Sequence, residues 1–393
     1  MNTTTSSHSH ITGKTSGHPG GHPAAAQQDF NRNPMLVYWE MTQACSLACK
    51  HCRAEAVKTP HADELNRAES SRLLKQIAAF GEPLPHVILT GGDPLERTDI
   101  FELIDEAKAL GLGVSITPSA TGKLTHEALA KLKEHGIESF GLSLDGSNAA
   151  RHEAVRGVEG CFNWTIAAAK SAAELGVPIQ VNTLVAQETM DDLPAIYELL
   201  KSLKVMRWSL FFLIAVGRGK VLQPITPEQG EELMKWVYEL SKTSPFQVKT
   251  TEAPSYRRIA LNQMRAEGMT AAEIEQTSMY RGFGVRDGHG IMFISNTGDI
   301  CPAGFLPLAA GNVRTHEPVD VYRSSELFTA LHKPKDFHGK CGLCEYAALC
   351  GGSRARAFAF TGDALGSDPF CPHEPKAKTK CGGEGGVCCS KCL

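Results

Sequence analysis

From about residue 35 to residue 245 the chain switches repeatedly between two hydrophobic rhythms, and that alternation limits the folds open to it. Runs rich in β-branched, aromatic and aliphatic residues read as strands at 35–42, 86–90, 113–117, 139–144, 178–185 and 205–214. Segments of helical period lie between them at 67–80, 100–110, 126–135, 165–175 and 193–203, with a further helix at about 228–240. Such alternation predicts a parallel sheet with right-handed crossovers. Six units are too few to close an eight-stranded barrel. The expected fold is therefore α/β, a partial (β/α)6 TIM-like barrel whose ligands sit at the C-terminal ends of the strands.

The flanking segments differ. Residues 1–34 are poor in apolar side chains and carry His8, His10, His18 and His22; a solvated, disordered tail is expected there. After residue 245 the helical stretches shorten, Gly and Pro become denser, and cysteines recur at Cys301, Cys341, Cys344, Cys350 and Cys371. Residues 246–375 read as a small domain stapled by metal, and 376–393 as a Cys-rich tail. Thirteen cysteines in 393 residues would be disulfides in an oxidising compartment and metal ligands in a reducing one. Residues 1–34 contain no apolar core of a secretory signal, and no segment is uniformly apolar over a bilayer's width. A cytoplasmic setting is expected, with no membrane partner. The net charge of −3 offers no basic footprint for nucleic acid.

Right after the first strand stands Cys45-x3-Cys49-x2-Cys52. A cubane cluster is normally held by four thiolates. Three leave one iron open to a small molecule, as three protein ligands do at a catalytic zinc. The alternative is a zinc site or buried free thiols, but no fourth ligand lies at the usual zinc spacing. The second strand ends in Gly91-Gly92-Asp93-Pro94, and the fourth runs into Ser143-Leu144-Asp145-Gly146, followed by His152-x3-Arg156-Gly157.

On these motifs the sequence resembles the radical SAM superfamily, over roughly residues 35–375. The resemblance implies a [4Fe–4S] cluster on Cys45, Cys49 and Cys52, whose open iron is chelated by the amino and carboxylate groups of S-adenosylmethionine (SAM). It implies that Gly91, Gly92 and Asp93 hold the SAM amino group, and that Ser119 and Ser143 contact the ribose. It gives Arg156 the SAM carboxylate, and places Asn182 and Leu213 near the ribose and adenine. His51 takes the place of the family's aromatic beside the adenine. Trp208, Phe211 and Phe212 are candidates to shield a radical at the barrel mouth, with core packing as the other reading.

Cys341-x2-Cys344-x5-Cys350, with Cys371 further on, resembles one auxiliary [4Fe–4S] cluster of the SPASM-type C-terminal domain. A structural zinc on the same four thiolates is the alternative. Cys301 and Gly311 match the start of a second auxiliary site, but His316 and Ser353 stand where cysteines are expected. Cys301 is then either free or joined by tail cysteines Cys381, Cys388, Cys389 or Cys392, while Cys161 is expected to be a buried structural thiol.

The implied activity is generation of a 5′-deoxyadenosyl radical to abstract hydrogen from a substrate. A peptide to be matured is expected first. Oxidative decarboxylation or modification of a porphyrin is the alternative, with Arg354 and Arg356 either meeting substrate carboxylates or simply solvated. The expected reductant is a flavodoxin or ferredoxin. A third reading is a non-catalytic iron–sulfur or zinc protein, which would have no need of Gly91–Asp93.

Overall fold

The computed structural model describes residues 28–282 and 284–376, so the tail histidines and the tail cysteines lie outside it. All six expected strands form: β1 (Leu36–Glu40), β2 (His86–Thr90), β3 (Gly113–Ile116), β4 (Phe140–Ser143), β5 (Ile179–Val185) and β6 (Arg207–Phe212). They pair in chain order and in parallel, as the alternation predicts. The connecting helices are α1 (Arg67–Ala78), α2 (Ile100–Ala109), α3 (His126–Glu134), α4 (Ala149–Arg156), α5 (Cys161–Leu175), α6 (Leu193–Ser202) and α7 (Pro227–Thr243). Local chemistry fixes several helix starts. Asn66 and Glu69 form a reciprocal capping box at α1, and Thr226 with Gln229 does the same at α7, where Pro227 takes the first turn.

Strand parity separates two environments. Val37, Trp39, Val87, Leu89, Val114, Ile116, Phe140 and Leu142 are inaccessible between the sheet and its helices. Each such large side chain contributes about 1.5–3 kcal/mol by burial. The other face carries Tyr38, Ser115, Gln180, Arg207 and Ser209, and is joined by hydrogen bonds: Ser115 to Ser139 at 2.8 Å, and Arg207 Nη1 to Gln180 at 3.3 Å. The barrel lumen therefore carries a polar band.

The sheet does not stop at residue 245. Gln247–Thr251 forms β7, parallel to β6. Beyond it, β8 (Arg286–Asp287), β9 (Gly290–Ile294), β10 (Asp299–Cys301) and β11 (Gly311–Asn312) build outward from the opposite edge, β9 lying parallel to β1. The strand order is β11-β10-β9-β1-β2-β3-β4-β5-β6-β7, with β8 on β9, so the sheet stays open between β7 and β11. Residues 246–375 thus flank the barrel on both edges. No helix among the described residues is long and apolar enough to cross a membrane.

Candidate active site

The cysteine loop leaves the C-terminal end of β1 and is closed at its base. Cys45 N donates to Val57 O at 2.8 Å and Val57 N to Gln43 O at 3.0 Å. Glu64 accepts from the Thr42 hydroxyl at 3.0 Å and Gln43 N at 2.8 Å. Inside the loop each sulfur lies within reach of a donor: Leu47 N at 3.4 Å from Cys45, Ala56 N at 3.5 Å from Cys52, and Arg156 Nη1 at 3.2 Å from Cys49. N–H groups aimed at sulfur suit thiolate ligands and tune the potential of a cluster they hold. Cys161, expected as a structural thiol, is 1% exposed and packs with Cys45, Leu47, Cys49 and Ala56. Burial pushes its thiol up to about 11, which keeps it protonated.

The Gly-Gly-Asp motif lies directly on this loop. Gly92 N donates to Thr42 O and Asp93 N to Ala44 O, both at 2.7 Å. A β-carbon on Gly91, whose φ is +147°, would fall 2.4 Å from Thr42 O; one on Gly92 would fall 2.3 Å from Ala44 O. Glycine is required because backbone meets backbone there. The Asp93 carboxylate is turned into the protein: Leu95 N at 3.1 Å, Ser119 N at 3.3 Å and the Thr121 hydroxyl at 3.3 Å all donate to it. Burial raises Asp93 to about 6. Its visible work is to brace the turn, which leaves the neighbouring backbone to face a ligand. Ser119 ties the elements together, donating to Gly92 O at 2.8 Å with its oxygen 3.3 Å from the Cys45 sulfur.

Opposite stands a buried ionic group whose partners the motif reading did not name. Arg156, at the end of α4, places Nε 2.8 Å from Asp145 Oδ2. Leu184 N donates to the other Asp145 oxygen at 2.7 Å, and Asp145 N donates to His152 Nδ1 at 3.0 Å. Burial opposes ionisation of Asp145, but the Arg156 guanidinium prevails and holds the carboxyl below its usual range. His51 lies 4.0 Å from Asp145, and burial lowers it to about 4, so it is neutral. Arg156 Nη2 and His51 Nδ1 are buried and have no partner. An orphaned guanidinium nitrogen beside the cysteine loop suits a ligand carboxylate.

The remaining expected contacts are spread over the barrel's far wall. Ser143 and Asn182 are register partners on β4 and β5. Leu213 packs with Val155, Leu184, Ala186 and Leu222; Gly219 lies between Leu213 and His51, its absent β-carbon 3.5 Å from the former and 3.7 Å from the His51 backbone. Of the three aromatics, Phe211 alone has lumen parity. Trp208 is inaccessible on the helical side, donating to Thr183 at 2.8 Å, and Phe212 meets Phe370 with centroids 5.7 Å apart. Core packing accounts for both.

Cys341, Cys344, Cys350 and Cys371 line one partly open cavity with Arg258, Tyr346 and His373. Again donors reach the sulfurs, all at 3.4 Å: Asp368 N and Arg354 Nη2 to Cys341, Tyr346 N to Cys344, Gly352 N to Cys350. Among the described residues, the metal-ligating trio whose donor atoms fall within 4.8 Å of one another is Cys344, Glu345 and His373, not three cysteines. Arg354 and Arg356 are neither solvated nor open to substrate. Arg354 is 0% exposed and donates to the Gly352, Ala364 and Gly366 carbonyls, while Arg356 pairs with Asp368 at 3.5 Å. Ser353 has a task of its own where a cysteine is expected: it caps the helix Arg354–Thr361 and donates to Glu252 at 2.7 Å. Cys301 is buried in β10 with Asp299, Arg53 and Glu40 as its charged surroundings.

Residues 39–200 match the family described as the radical SAM superfamily. An AdoMet-dependent heme synthase of Methanosarcina barkeri is 36% identical over 88% of this chain and 98% of its own. The mycofactocin maturase MftC of Mycolicibacterium smegmatis is 28% identical over 86% of this chain and 82% of its own. Among solved structures, Streptococcus suis SuiB bound to S-adenosylmethionine superposes with a TM-score of 0.67 at 18% identity, covering 87% of this chain and 78% of that one. The last likeness is one of fold.

Proposed function

The chain belongs to the radical SAM superfamily, and from that premise we propose that it oxidatively decarboxylates propionate side chains of an iron porphyrin. It is an enzyme whose cofactors are a [4Fe–4S] cluster and SAM. What supports the substrate class is its likeness to a heme synthase over 88% of this chain. A cluster held there would supply the electron for reductive cleavage of SAM, and the adenosyl radical so made would take a hydrogen atom from the substrate. Loss of that hydrogen atom, of CO2 and of one further electron, taken up by a one-electron carrier such as an oxidised flavodoxin or ferredoxin, would turn a propionate into a vinyl group.

In this reading Cys45, Cys49 and Cys52 are the ligands. Arg156 offers Nη2 to the SAM carboxylate while Asp145 fixes its aim. The backbone of Gly91 and Gly92 receives the amino group, and Asp93 holds that backbone still. Ser119, Ser143 and Asn182 serve the ribose, and neutral His51 with Leu213 flanks the adenine. Phe211 excludes water from the lumen. Cys341, Cys344, Cys350 and Cys371 hold one auxiliary [4Fe–4S] cluster that is closed to substrate. A flavodoxin or ferredoxin is the reductant, and the cytoplasm is the compartment.

Anaerobic protein given dithionite, SAM and an iron porphyrin bearing propionates is expected to release CO2 and form vinyl groups, followed by mass spectrometry. Maturation of a ribosomal peptide is the second reading, favoured by the likeness to the mycofactocin maturase. It prevails if the porphyrin is returned unchanged while a precursor peptide is altered. Metal analysis gives a separate check: about eight irons per chain are expected, and about twelve would mean that Cys301 and the tail build a third cluster. Bound zinc would overturn the auxiliary site.

A further inference from the structure

Two cations on one wall of the lumen, Lys249 and Arg207, have no ion-pair partner among the described residues. Lys249 sits in the middle of β7, its register partner on β6 is Ser209, that of Ser209 on β5 is Asn182, and that of Asn182 on β4 is Ser143. The parity is confirmed by contacts on the lumen side, where the Ser209 and Thr251 hydroxyls lie 2.9 Å apart and Arg207 Nε and Nη2 donate to Gln247. Lys249 therefore belongs to the same layer of the barrel as Ser143 and Asn182.

Lys249 is half-buried, at a position whose strand parity is that of the lumen. Among the described residues it makes no hydrogen bond and no ion pair. Burial lowers it to about 7, and the charge that acts on it is another cation, Arg207. Arg207 is uncompensated as well: its three donors go to the neutral amides of Gln180 and Gln247. Burial, and then the neighbouring Asp287, push the carboxyl of Glu252 at the end of this strand upward, and the Ser353 hydroxyl donates to it. Glu252 also holds a left-handed backbone, φ +58°, a conformation a non-glycine residue keeps only where its surroundings impose it. A desolvated ammonium without a counter-ion is unfavourable until an anion arrives.

We propose that Lys249, backed by Arg207, anchors a carboxylate of the substrate in the layer of the barrel that holds Ser143 and Asn182. The inference rests on the porphyrin reading above, in which that carboxylate is a propionate. It assigns β7, a strand outside every motif of the sequence, a share in substrate selection.

The test uses reconstituted full-length protein and two probes, an iron porphyrin with free propionates and its fully methyl-esterified form, each titrated by its shift in visible absorption. Lys249→Met is expected to weaken the acid by about 10–100-fold, the worth of one charged hydrogen bond, and to leave the ester unchanged. Lys249→Arg is expected to keep most of the acid's affinity. Iron content and melting temperature of both variants should match the parent. Equal binding of the acid by Lys249→Met and the parent would overturn the anchor while leaving the porphyrin reading intact. Equal weakening of acid and ester would also overturn it, since the residue would then act on shape. A parent protein that binds neither probe would remove the porphyrin reading, and the anchor with it.

Discussion

Cys49→Ala is expected to abolish 5′-deoxyadenosine formation and to remove about four irons per chain, leaving about four in place. Cys49 is the thiol on which two parts of the site converge, since its sulfur accepts from Arg156 while its carbonyl accepts from Arg218 Nε at 3.0 Å. Losing the sulfur removes a proposed ligand and leaves a guanidinium nitrogen without its acceptor. The fold should survive. Cys49 packs in a small satellite cluster with Cys45, Leu47, Ala56 and Cys161, away from the main core. Deleting one sulfur there costs at most about 1 kcal/mol of buried area. Iron analysis and anaerobic SAM cleavage read the two effects separately. Persistent deoxyadenosine with full iron would show that the triplet is not the ligand set.

Gly92→Ala should be nearly as damaging without touching any ligand. Its β-carbon would approach Ala44 O at 2.3 Å and Gln43 O at 2.6 Å, and both obstacles are backbone. The loop would have to move, breaking the two 2.7 Å hydrogen bonds that bind it to the second strand. A loss of about 2–4 kcal/mol in stability is expected, and misplacement of the loop by about 1 Å should cost SAM cleavage roughly hundredfold. Gly122→Ala is the control, because a β-carbon there meets nothing within 4 Å. Equal melting temperatures and rates for the two variants would mean that the close approach carries no function.

The six strands were legible because each buries aliphatic or aromatic side chains under helices, and the cysteine triplet because spacing alone reports it. Gln247–Thr251 was not legible: only Val248 is buried, and Gln247, Lys249 and Thr251 turn to a polar lumen. A strand with a polar inner face lacks the apolar run by which strands are recognised. Gly290–Ile294 is apolar enough, but its context of short elements gives no hint that it pairs with the first strand. For Trp208 and Phe212, residue type leaves shielding and core packing equally open, and only strand parity selects core packing. The Arg156–Asp145 pair was half visible, both residues standing in recognised motifs, but contact between two motifs is a fact of folding rather than of spacing. Arg354 shows the same limit from the other side. A charged residue near the end of the chain reads as solvated until the carbonyls that enclose it are known.

The pairing of β1 with β9 also bears on how the protein is made. β1 carries the cysteine loop at its end, yet the strand that covers its outer edge begins at Gly290. On the ribosome, β1 gains β2 early and then waits with one backbone edge bare while most of the polypeptide emerges. A bare edge is a template for pairing with other chains, and a contact so distant in sequence is slow to close. Translation therefore sets the earliest moment at which the loop stands on a finished support, and iron delivered before that moment would meet thiols whose positions are still unsettled.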